Sequence, residues 1–188
     1  MQTPTPTSTD RARAFLRKLG ADRIAHPGGT LLAHLERVRI QLAAWQARPD
    51  LQLAGFCHAF YGTDGFPAPL LPVDRRSELA AVIGPDAEAI VHLYASCDRT
   101  ATYPGLAGPA PVFHDRFTGR THLPDLPPRR DFAELTAANE LDLARRDPDF
   151  RDRWGPDLLA LLTRLRPLLS PPAWQDCLTV LGPDRHGS

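Results

Sequence analysis

Proline sets the frame of this chain. The chain has twenty prolines, eleven of them in clusters at positions 67–72, 104–111, 124–128 and 171–172, where the missing N–H and the fixed φ interrupt regular structure. Between the clusters the apolar residues recur mostly at helical spacing, so the sequence predicts short packed helices and no extended sheet. The clearest segment follows "HPGGT": Leu31, Leu35, Val38, Leu42 and Trp45 repeat along one face, with Thr30 placed as the N-cap. This predicts a helix from Leu31 to about Ala47. Pro49-Asp50 then breaks the chain before a helix over Leu51 to about Phe60, whose near-continuous apolar surface marks it as central.

Further helices are expected over Asp10–Leu19, over "PVDRRSELAAVIG" up to Gly84, and over "PDAEAIVHLYASCDR". Three more are expected at about Asp131–Arg146, about Asp149–Leu169 and about Pro172–Leu181. One piece is β-like: "PVFHDRFTGRTHLP" has two short arms around Thr118-Gly119, a small hairpin in which His114 and His122 could meet. No internal repeat or domain-scale linker is evident. The expected organisation is a disordered lead over 1–9, one all-α domain over 10–182 and a flexible tail over 183–188.

Charge narrows the function classes. Twenty-two basic and 22 acidic side chains cancel, so no basic surplus points to nucleic acid or to an anionic membrane surface. No apolar run reaches the ~20 residues of a membrane span. Cys57, Cys97 and Cys177 are too scattered for a zinc ribbon or a disulfide framework, and default to small buried hydrophobes. A reducing, cytoplasmic setting is expected. Lys18 is the only lysine and Asn139 the only asparagine, the skew of a GC-rich, bacterial coding background.

Against that background a few polar residues stand out on apolar faces. In "LAGFCHAFYGTDGF", His58 ends the greasy helix and a Tyr-Gly-Thr-Asp-Gly turn follows. His34 lies three residues after Leu31 and four before Val38, on the buried face of the preceding helix. The two helices share a short loop and should be antiparallel neighbours. Far along the chain, Phe132, Leu135, Asn139 and Asp142 fall in one helical row. A buried amide and a buried carboxylate both need partners, and the two histidines would serve.

An all-helical chain with a helix histidine, a second histidine ending an apolar helix about two dozen residues later, and "AANELD" on a late helix resembles the HD-domain superfamily. "HPGGTLLAHL" and "FCHAFYGTDGF" resemble an uncharacterised branch of small HD-like proteins more closely. The resemblance covers roughly Pro27 to Leu143. It implies a helical bundle, and an activity of metal-dependent phosphohydrolase or, in some relatives, di-iron oxygenase type. His34 matches the first histidine of the pattern, His58 the histidine of its His-Asp doublet, and Asn139 its final aspartate. Ala59 stands where the doublet's aspartate would be. Two metal-gripping carboxylates are therefore absent, and a divalent metal (Fe, Mn, Zn or Ni) would have to rest on His34, His58 and Asp142.

Three functions follow as expectations. The first is a small-molecule enzyme without cofactor, a lyase, isomerase or hydrolase using histidine acid/base chemistry in a specialised metabolic pathway. His34, His58, Tyr61 and Asp142 would be catalytic, while His26, Phe60, Thr63, Asp64, Asp98 and Asn139 would bind substrate. The second is a metal-dependent enzyme with substituted ligands, and the third a non-catalytic ligand- or protein-binding module. A homodimer is compatible with all three.

Overall fold

A computed structural model describes residues 5–66 and 68–182. The expected lead at 1–4 and the expected tail at 183–188 lie outside the described residues. Within them, all-α architecture with small antiparallel ladders is what the chain adopts. The first helix, α1 (Ser8–Lys18), begins inside the stretch expected to be disordered. Thr7 and Asp10 form a reciprocal capping box there, the hydroxyl accepting from the Asp10 N–H and the carboxylate from the Thr7 N–H.

The "HPGGT" segment is not a plain loop. β1 (Ala25–His26) pairs with β2 (Gly29–Thr30) around a turn in which Gly28 and Gly29 take φ of 75° and 133°, values that only glycine adopts without strain. This is a second ladder beside the one expected. Thr30 then caps α2 (Leu31–Ala44), accepting from the Ala33 N–H.

α2 packs against α3 (Pro49–Cys57), and Gly55 sets how closely. A methyl group at that position would sit 2.4 Å from Leu42 Cδ1. α3 starts two residues earlier than expected, with Pro49 in its first turn, and ends three residues earlier. His58 is thus the first residue beyond the helix. α4 (Arg76–Ile83) and α5 (Pro85–Ser96) meet at Gly84, whose φ is 90°. After α6 (Arg99–Thr102) comes the expected hairpin, β3 (Phe113–Asp115) with β4 (Arg120–His122). Its register pairs His122 with Phe113 and His114 with Thr121, so the two histidines are not opposite one another. The reason is that the ladder closes on Asp115–Arg120 around a four-residue turn.

α7 (Leu126–Arg146) is the axis of the molecule. It contacts α2, α3 and α5 on one side, and α8 (Pro148–Leu165) and α9 (Pro171–Leu181) on the other. It begins five residues before the expected start. Pro127 and Pro128 occupy its first turn, where no N–H is required. From Asp131 to Asp142 every residue is buried, Glu134, Asn139, Glu140 and Asp142 included. A helix that carries polar side chains through a core must bring their partners with it, and those partners mark the site. Among the described residues no helix is long and apolar enough to cross a membrane.

Candidate functional site

The site is assembled where α2, the end of α3 and the middle of α7 meet. His34, 1% exposed, is held at both ring nitrogens: Nδ1 lies 2.6 Å from Asp142 Oδ2, and Nε2 lies 3.0 Å from Asn139 Oδ1. Asn139 Nδ2 donates to Glu140 Oε1 at 3.2 Å, which turns the amide oxygen toward the histidine. Both nitrogens of His34 therefore lie against an oxygen and are engaged.

Arg37, one turn along α2, donates Nε and Nη2 to the two oxygens of Asp142 at 2.7 and 2.9 Å. Burial alone would raise the Asp142 pKa, but the bonds from His34 and Arg37 outweigh it and bring it down to about 2. Arg37 also donates to the carbonyls of Pro27 and Gly28, which ties the β1–β2 turn to the cluster. That turn lays His26 flat on His34, with centroids 4.2 Å apart and rings inclined by 25°. His26 Nδ1 is buried and has no partner among the described residues. Burial and the neighbouring His34 depress its pKa to about 4.

His58 differs from both. Its Nδ1 is 2.8 Å from the Gly55 carbonyl, which can only accept, so Nδ1 carries the hydrogen and Nε2 keeps a lone pair. Complete burial, then the nearby His34, hold its pKa down to about 3. Its ring stands edge-on to His34 at 5.3 Å and to Tyr94 at 5.6 Å. Arg99 completes the group, donating to Glu140 Oε1 and to the Tyr94 hydroxyl, each at 3.3 Å. Burial pushes the Glu140 carboxyl above its usual range, while Arg99 pulls the other way.

These side chains line a cavity of about 380 Å³. Its polar wall is the three histidines, Asn139 and the Arg99–Glu140 pair; Phe66, Leu143 and Phe150 close the apolar side. Thr63 also lines it, with its hydroxyl accepting from the Phe66 N–H. Of the residues singled out from sequence, His26, His34, His58, Thr63 and Asn139 are therefore together. Asp142 sits behind His34 and positions it without lining the cavity.

Four others are elsewhere. Because α3 stops at Cys57, the chain turns and delivers the Tyr61 hydroxyl to Glu88 at 2.8 Å, away from the cavity. Glu88 is 4% exposed and is gripped by Arg76 as well. Phe60 is fully buried against Phe15. Asp98 caps α6 through the Ala101 N–H, and Asp64 accepts from the Arg99 N–H at 3.0 Å. Asp64 therefore acts at one remove, by anchoring the backbone of the residue that carries the guanidinium. Arg37, Arg99 and Glu140 were not anticipated. Glu140 adjoins Asn139 in sequence, but Arg99 opens a four-residue helix that has no periodicity to reveal it.

As arranged, the cluster does not present the donor set of a divalent metal. His34 has both nitrogens engaged, an amide replaces one expected carboxylate and Ala59 the other. Among the described residues no group of three or more His, Cys, Asp or Glu side chains is placed to hold a metal ion.

Residues 15–99 match the model of a family described as a domain of unknown function, DUF6817. The match takes in His26, His34, His58 and Arg99, and ends before α7. No curated protein and no solved structure matches the chain.

Proposed function

We propose that the cavity is the active site of a small-molecule enzyme in which His58 is the general base. The observation that supports this is the Gly55 carbonyl on Nδ1, which leaves a lone pair on Nε2 in a cavity shared with Arg99. A base must be unprotonated and within reach of its proton, and His58 meets the first condition across the neutral range. In the reaction Nε2 takes a proton from a substrate carbon next to a carbonyl. The electron pair left behind moves onto a substrate oxygen beside Arg99. The fixed positive charge of Arg99 stabilises that oxyanion, and its negative charge in turn raises the proton affinity of His58 as the proton arrives. Return of the proton from His58 Nε2 to a different carbon is isomerisation; its delivery to a β-hydroxyl as the C–O bond breaks, releasing water, is elimination. If Nε2 instead takes the proton of a water that attacks an acyl carbon, the bond from that carbon to its leaving group breaks, the leaving group takes the proton from Nε2, and the result is hydrolysis.

The HD-like resemblance fits this reading as a helical scaffold that has exchanged carboxylate metal ligands for an amide and a methyl group. The buried thiols of Cys57, Cys97 and Cys177 support a cytoplasmic setting.

The test is a panel of 2-oxo-, 2-hydroxy- and 3-hydroxycarboxylic acids incubated with the purified chain in D₂O and followed by proton NMR. At least one compound should exchange a carbon-bound proton or convert, and only with His58 intact. Compounds that raise the melting temperature through His58 and Arg99 while none exchanges or converts would instead make the chain a binding module.

A further inference from the structure

A second hollow, of about 340 Å³, adjoins the first. Arg99, Glu140 and Phe150 belong to the walls of both. The rest of its lining differs in kind: Tyr103, then Trp154, Leu158 and Leu161 from α8, with the charged Asp157 and Arg164 of the same helix beside them. Phe150, Trp154, Leu158 and Leu161 follow one another at intervals of four, four and three along α8, one apolar stripe of that helix. A stripe of this kind ordinarily disappears into a core, yet Trp154 remains 42% exposed. The Tyr103 hydroxyl is buried without a partner among the described residues, an unusual cost for a site that nothing fills.

The two chambers are complementary. One is rich in imidazole and guanidinium, the other in aromatic and aliphatic surface, and Arg99 stands between them. We infer that they are two halves of one site for an amphiphilic carboxylate: the carboxylate beside Arg99 near His58, and an unbranched or aryl tail lying along α8 over Phe150, Trp154 and Leu158. This rests on the reading of the His58 chamber as the reacting end and adds the substrate class. It assigns Trp154 and Leu158 as specificity-determining residues, which touch only the tail.

The test is calorimetric titration of the full chain with straight-chain carboxylates from acetate to decanoate. The expected dissociation constant falls about three- to fourfold for each methylene added beyond butanoate, as each leaves water for the second chamber. Trp154→Ser, at an exposed position that the fold tolerates, should flatten this gradient and leave acetate and butanoate unchanged; Leu158→Glu should do the same. Arg99→Gln should weaken every length alike. Short carboxylates that bind in wild type with no gain from length would overturn the tail chamber and leave the His58 site standing. A gradient that survives both α8 substitutions would place the tail elsewhere and overturn the assignment. Absence of binding at every length would remove the carboxylate class, while the proton-exchange experiment decides the chemistry of His58 separately.

Discussion

Asp142→Asn is expected to lower the unfolding free energy by about 3 kcal/mol or more, a large share of what a domain of this size possesses. The carboxylate is buried where the His34 ring and the Arg37 guanidinium meet. An amide of the same shape has a single acceptor oxygen. Placed at the Oδ2 position it still meets His34 and Arg37 Nη2, but its N–H₂ group then faces Arg37 Nε, and the guanidinium loses its counter-charge. Removing one partner of a buried pair costs far more than the pair contributes net, because the remaining charge stays desolvated. Urea unfolding followed by circular dichroism measures the loss. The effect should extend to the β1–β2 turn, since Arg37 holds that turn only while Asp142 holds Arg37. A change below about 1 kcal/mol would mean that Asp142 is not the anchor of the cluster.

His58→Gln is expected to slow proton exchange on any substrate of the cavity by at least about a hundredfold, within the usual range for loss of a positioned base. Affinity should move only a few-fold, because Arg99 is held by Glu140 and Tyr94 and owes nothing to the His58 ring. Single-turnover exchange together with a direct binding constant separates the two quantities. Equal losses in both would assign His58 to binding and leave the proton transfer to another group.

Much of the scaffold could be seen in the chain before folding. The apolar period of α2 and the proline breaks place most helices, because helical burial and the missing proline N–H act locally. His34, Asn139 and Asp142 could be found because each puts a polar group on a stripe that should be apolar, a conflict that only a partner resolves. Their mutual bonds, over more than 100 residues of separation, follow from that conflict. The residues that escaped notice have no such signature. Glu140 lies on a helix buried all round, where no stripe distinguishes it. Arg99 resembles any other arginine in an arginine-rich chain. Tyr61 was misplaced because its direction depends on where α3 stops, and a three-residue difference there sends the phenol to Glu88. Periodicity reports faces, whereas the position of a helix end is set by tertiary contacts.

The tautomer and charge of His58 carry the functional proposal, and one measurement addresses both: long-range ¹H–¹⁵N correlation of the histidine rings, titrated downward from neutral pH. His58 should show a single Nδ1–H tautomer with an unprotonated Nε2, and should hold it far below the usual histidine range, toward a midpoint of about 3. Protonation of His58 near 6.5, or a hydrogen resident on Nε2, would contradict it, since the ring would then be neither buried against the Gly55 carbonyl nor available as the base.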